Sequence, residues 1–153
     1  MVWLSAGFSS AQAERGRWQI NGPTASLLSS NTLSIGNRSI EYHPVLIIGC
    51  QRGREDGWSK SVRLRDSLSG NGTIDVSVRL DRSESSETWR LGNRNSSFSF
   101  DGKDGVARLL RAKRFRLGWS NGFFSGTGEA IFSLAGIEEV VSQLAATCGI
   151  ASP

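Results

Sequence analysis

Between Thr73 and Leu80 apolar and polar residues alternate without a break. Ile74, Val76, Val78 and Leu80 fall on one side, Asp75, Ser77 and Arg79 on the other. A period of two is that of a strand with one buried and one wetted face. The same alternation sets Trp58, Lys60, Val62 and Leu64 against Ser59, Ser61, Arg63 and Arg65. Shorter examples are Trp18 with Ile20, Leu33 with Ile35, Trp89 with Leu91, Phe98 with Phe100, and Phe115, Leu117 and Trp119. Turn signals separate them at Asn21-Gly22-Pro23, Gly36-Asn37 and Gly70-Asn71-Gly72, and a polar loop is predicted from Arg82 to Glu87. Val45-Leu46-Ile47-Ile48-Gly49-Cys50 does not alternate, which predicts a central strand covered on both faces.

Late in the chain the period lengthens. Asp101-Gly102-Lys103-Asp104 opens a short helix that buries Val106, Leu109 and Leu110 and turns Arg108, Arg111 and Arg114 to water. The Gly-rich loop from Ser120 to Gly128 leads into an apolar strand, Ala130 to Leu134. Phe123 and Phe124 are neighbours in that loop and point to opposite sides, which leaves one of them as a contact residue. From Ile137 the apolar residues Ile137, Val140, Val141, Leu144 and Cys148 mark one face of a helix. Its first turn carries Glu138 and Glu139, and Gly149 follows its end. The pattern predicts an α+β protein: an antiparallel β-sandwich of about eight short strands with two helices late in the chain.

A length of 153 residues without a break in composition predicts one domain able to bury its own core. The 18 basic residues exceed the 14 acidic ones by only four, and they are dispersed, so no nucleic-acid partner is expected. No stretch reaches the roughly 18 apolar residues of a membrane span. Residues 1–13 carry no charge and end in Ala11-Gln12-Ala13, a small-x-small cleavage pattern. Residues 1–13 are therefore expected to be a signal-peptide remnant and residues 14–153 a single β-rich domain in the periplasm.

The two cysteines, Cys50 and Cys148, form no CxxC pair, and a single histidine gives no metal-ligand set. Each cysteine ends an apolar element, so both are expected at one interface. Two free thiols would pack there as small hydrophobes; the secretory lead favours a disulfide between them.

Taken in order, several motifs resemble those of the VasI/TagO-like accessory proteins of the bacterial type VI secretion system. They are the Pro44-Val45-Leu46-Ile47-Ile48-Gly49-Cys50 strand, Arg79-Leu80-Asp81, Trp89, and Phe132-Ser133-Leu134-Ala135-Gly136-Ile137 through Cys148. The resemblance runs from about Trp18 to Gly149 and implies a secreted, non-catalytic accessory or scaffolding protein with no cofactor. Its partner would be a protein of the cell envelope, either a secretion-system component or a cell-wall enzyme. Family members often carry Asp and Ser where this chain has Ser133 and Ala135. Ala135 has no side-chain oxygen to cap a helix, which leaves Ser133 or a bare Gly136 as its start.

The residues themselves offer little catalytic chemistry. His43 lacks a triad or a metal set around it, Glu138 and Glu139 are helix-dipole residues, and the segment from Gly118 to Gly128 lacks the Lys-Ser/Thr and helix of a phosphate loop. Arg63, Arg79 and Arg90 occupy polar positions of three predicted strands. If those strands are neighbours, the guanidinium groups form a row suited to carboxylates of a protein partner or of peptidoglycan stems. The plainer alternative is a solvated face with weak ion pairs to Asp75 and Glu87. A periplasmic binding module, or an inhibitor acting on peptidoglycan or a cell-wall hydrolase, is the second function class.

Overall fold

The computed structural model describes residues 17–34, 41–53, 57–65, 67–68, 71–92, 94–100, 103–120 and 127–153. The expected signal remnant at 1–13, Asp101, Phe123 and Phe124 lie outside the described residues.

Among the described residues, nine strands form one antiparallel sheet. In chain order they are β1 (Gln19–Asn21), β2 (Thr24–Leu28), β5 (Val45–Cys50), β6 (Trp58–Arg63), β7 (Thr73–Leu80), β8 (Ser83–Gly92), β9 (Ser97–Ser99), β10 (Arg114–Ser120) and β11 (Thr127–Ser133). Two residue pairs, β3 (Leu33–Ser34) and β4 (Glu41–Tyr42), make a separate ribbon. Across the sheet the order is β1-β2-β5-β6-β9-β8-β7-β10-β11. The protein is α+β and mostly antiparallel. In place of two packed layers, however, one sheet curls into a half-barrel. Its concave face carries large side chains from seven strands, among them Leu46, Ile48, Trp58, Val62, Phe98, Trp89, Val76, Phe115, Leu117 and Phe132, all buried. Burying that much apolar area inside a single sheet requires it to wrap around its contents.

Helix α1 (Lys103–Leu109) packs on β6, and helix α2 (Ile137–Cys148) packs on β5 and β2. The apolar face expected for α2 is the buried one: Ile137, Val140, Val141 and Leu144. The bare Gly136 is its N-cap, at φ 85° with no side-chain cap bond, a conformation that suits a residue without Cβ. At the other end the Gly149 N–H reaches the carbonyls of Ala145 and Ala146. The disulfide joins Cys50 to Cys148 with the Cα atoms 6.2 Å apart, tying α2 to β5 across 98 residues of chain.

Three expectations need correction. β5 is covered on one face: Leu46 and Ile48 are buried, whereas Val45 and Ile47 on the convex side are half-exposed. The segment Arg82 to Glu87 is mostly strand. Asp81 and Arg82 alone make the turn, with Asp81 at φ 53°, and β8 runs on from Ser83. Its first half is polar on both sides, even where Ser85 and Glu87 stand opposite the buried Val78 and Val76. It is held by the ladder to β7 and by side-chain bonds from Ser77 to Glu84 and from Thr88 to Asp75. Arg114 opens β10 instead of extending a helix. Beyond the expected turn after Asn21, Thr24–Leu28 forms a strand that was not foreseen, with Ala25 and Leu27 buried.

The outer edge of β11 is closed by side chain and backbone together. Ser30 N–H donates to the Ile131 carbonyl at 2.7 Å. The Asn31 amide then acts as a stand-in peptide: its Oδ1 accepts from Ile131 N–H at 2.9 Å and its Nδ2 donates to the Glu129 carbonyl at 2.7 Å. The chain leaving β2 thus meets the last strand of the sheet and satisfies part of its open edge.

Candidate functional site

Lys60 lies on the inward register of β6 between Trp58 and Val62, and its side chain is 0 % exposed. Its Nζ stands 4.6 Å from the centre of the Trp89 ring, with Phe100 and Phe115 also around it, and donates to the Gly105 carbonyl of α1 at 3.3 Å. Burial foremost, with the nearby Arg108 guanidinium acting in the same direction and Glu87 against both, lowers its pKa from 10.5 to about 7. The electron-rich face of Trp89 offsets part of the cost of any charge there.

Above this amine, Arg108 grips Glu87 with both terminal nitrogens, at 2.6 and 2.7 Å, and lies over the Phe100 ring. Arg108 was expected to face water. The curl of the sheet instead brings it over the inward-facing Glu87, which also accepts from Trp89 Nε1 and Ser85 Oγ. Hydrogen bonding from Arg108, first among the causes, holds the Glu87 carboxyl down at about 2. The arrangement binds α1 to β8 and seals Lys60 beneath it. Trp58 and Trp89 are core residues at 2 % and 1 %.

The convex face carries the arginines singled out from the sequence, but not as one row. Arg63 on β6 and Arg90 on β8 share a face across β9, where Arg63 pairs with Ser97 and Arg90 with Ser99. Arg79 sits at the far end of β7, six residues from the Thr73 that pairs with Arg90, or roughly 20 Å along the strand. Asp75 and Glu87 are engaged elsewhere, with Thr88 and with Arg108.

Arg79 has different company. It stands directly opposite Arg116 on β10, and Arg114 lies two residues along the same face. Together with Asp81 and Ile131 these three arginines line a cavity of about 190 Å³. Arg79 Nε donates to the Asp81 carbonyl at 3.2 Å. The Asp81 carboxylate is occupied by the backbone N–H groups of Lys113 and Arg114, which also fix the start of β10. Arg116 pairs with Glu129, whose hydrogen bond and charge raise the guanidinium pKa. Among the described residues, Arg79 and Arg114 form no ion pair, although Glu84 on β8 stands directly opposite Arg79.

Arg114 and Arg116 were legible as outward positions of the Phe115, Leu117 and Trp119 alternation. Their meeting with Arg79 depends on β7 and β10 being neighbours, which no local pattern encodes. Lys60 was legible too, as a lysine on the apolar side of its strand. His43 serves a structural contact, its Nδ1 2.8 Å from the Ser29 carbonyl. The chain matches no protein-family model, no curated protein and no solved structure.

Proposed function

We propose that this protein is a non-catalytic accessory protein of the bacterial cell envelope that serves a type VI secretion system and acts by contact with a protein partner. The arginine-bearing convex face, held on hydrogen-bonded strands, is the observation that carries this reading. Cations fixed on a rigid ladder are pre-organised for a partner's carboxylates, so less side-chain entropy is lost on contact. The Cys50–Cys148 bond is consistent with an oxidising compartment, and the periplasm is the one that the residue 1–13 pattern and the family resemblance point to. No described helix is long and apolar enough to cross a membrane. The order of motifs shared with the VasI/TagO-like accessory proteins supplies the link to secretion.

The test is genetic complementation in the native host. Deleting the gene is expected to lower release of the secretion tube protein into the medium, and wild-type protein should restore it. A variant reversed at Arg63, Arg79 and Arg90 should fail to restore it while keeping its melting temperature within a few degrees, since exposed substitutions shift stability by about 0.5 kcal/mol each. Unchanged release from the deletion strain would overturn the secretion role, and full rescue by the triple variant would overturn the arginine surface.

A further inference from the structure

We propose that the cavity between β7 and β10 lined by Arg79, Arg114 and Arg116 is a subsite for one carboxylate group carried on an aliphatic stem, supplied by a glutamate side chain of a partner protein. This rests on the reading above and names the chemistry of one part of that surface.

Like charges placed directly across an antiparallel ladder oppose folding. Arg79 and Arg116 are such a pair, and Arg114 adds a third cation on the same face. Glu129 pairs with Arg116; Glu84 on β8 stands across from Arg79 but forms no ion pair with it, and Arg114 forms none among the described residues. The acid lining the cavity, Asp81, keeps its charge but turns its oxygens to the backbone N–H groups of Lys113 and Arg114, so it anchors the strand start and forms no ion pair with the guanidinium groups. A cavity lined by three guanidinium groups, two of them without an ion pair among the described residues, is complementary to an incoming anion.

Size and lining narrow the ligand. About 190 Å³ is below the roughly 300–1,000 Å³ of a drug-sized pocket, so it suits one small group on a larger partner. Ile131 gives the cavity an apolar wall. A carboxylate on methylene groups can lay its stem against that wall, whereas a fully hydrated inorganic phosphate gains nothing from it. Planar guanidinium forks also match a planar carboxylate.

The experiment titrates the full chain with a short glutamate-containing peptide and follows the arginine Nε–Hε NMR signals. The Arg79 and Arg114 signals are expected to move, and the glutamine version of the peptide should bind at least tenfold more weakly. Arg79→Gln and Arg114→Gln should each weaken binding about tenfold, while Arg63→Gln leaves it unchanged. All three positions are exposed, and matching melting temperatures establish that the variants are folded. Wild-type affinity in Arg79→Gln and Arg114→Gln would overturn the subsite. Inorganic phosphate competing as well as the glutamate peptide would overturn the carboxylate assignment. Displacement of the peptide by purified muropeptides at lower concentration would overturn the protein source. Secretion lost in a variant reversed at Arg63 and Arg90, yet kept in Arg79→Gln/Arg114→Gln, would overturn the subsite and leave the wider surface reading in place.

Discussion

A lysine amine enclosed by Trp89, Phe100 and Phe115 makes the folded state sensitive to pH in a window where few other groups titrate. Unfolded, Lys60 holds its proton up to about 10.5; folded, only up to about 7. Between those values the unfolded chain binds a proton that the folded one does not, so stability rises with pH. Below about 7 both states are protonated and the fold bears the full cost of a buried ammonium, on the order of a few kcal/mol. Stability measured by denaturant unfolding should therefore increase from pH 7 towards 10, and Lys60→Met should lose that increment. Other lysines contribute equally to both proteins, so the difference between the two curves isolates Lys60. Parallel curves would show that the amine is not buried in this way. Glu87 works in the acid range: its contribution is present above about 4.5 and is lost as the pH falls towards 2.

At the scale of elements, the vulnerable feature is the last strand of the sheet. An open edge exposes unpaired N–H and C=O groups to other chains. On β11 part of that edge is met by Asn31, whose amide reproduces the donor and acceptor of a neighbouring strand. Asn31→Ala removes two hydrogen bonds and leaves the Ser30–Ile131 bond. The expected loss is roughly 1–3 kcal/mol, together with faster hydrogen exchange at the Ile131 amide. A loss below about 0.5 kcal/mol with unchanged protection at Ile131 would mean that the side chain does not serve as a strand. Further along the same strand, Trp119 lies across Gly128 so closely that a Cβ there would clash with the indole. The glycine is what lets a tryptophan occupy that end of the concave face.

At the scale of the molecule, the Cys50–Cys148 bond links the third strand of the sheet to the last helix and encloses most of the chain between them. Closing a loop of 98 residues restricts the unfolded chain by about 4–5 kcal/mol in the entropy model. Against the roughly 5–15 kcal/mol by which a domain of this size is stable, that is a large share. Intact protein should be two hydrogens lighter than the dithiol form by mass analysis, and reduction should lower the melting temperature by ten degrees or more. An unchanged melting temperature after verified reduction would show that packing of α2 on β5 and β2 suffices alone.

The sequence alone determined the features that depend on local period and chemistry. Alternation in Thr73–Leu80, Trp58–Leu64 and Phe115–Trp119 reports which side of a strand is buried, and that holds whatever the strand pairs with. The 3.6-residue stripe of α2, and the two cysteines each ending an apolar element, are equally local, so the helix and the disulfide were legible. The one-sided burial of β5, the polar half of β8, the curl of one sheet in place of a sandwich, and the meeting of Arg79 with Arg114 and Arg116 were not. Each depends on strand order and on what the sheet encloses. The arginines meet across 35 or more residues of chain, a meeting that leaves no trace in either segment's own pattern, and for the other three only the packing of the whole chain decides what each face meets.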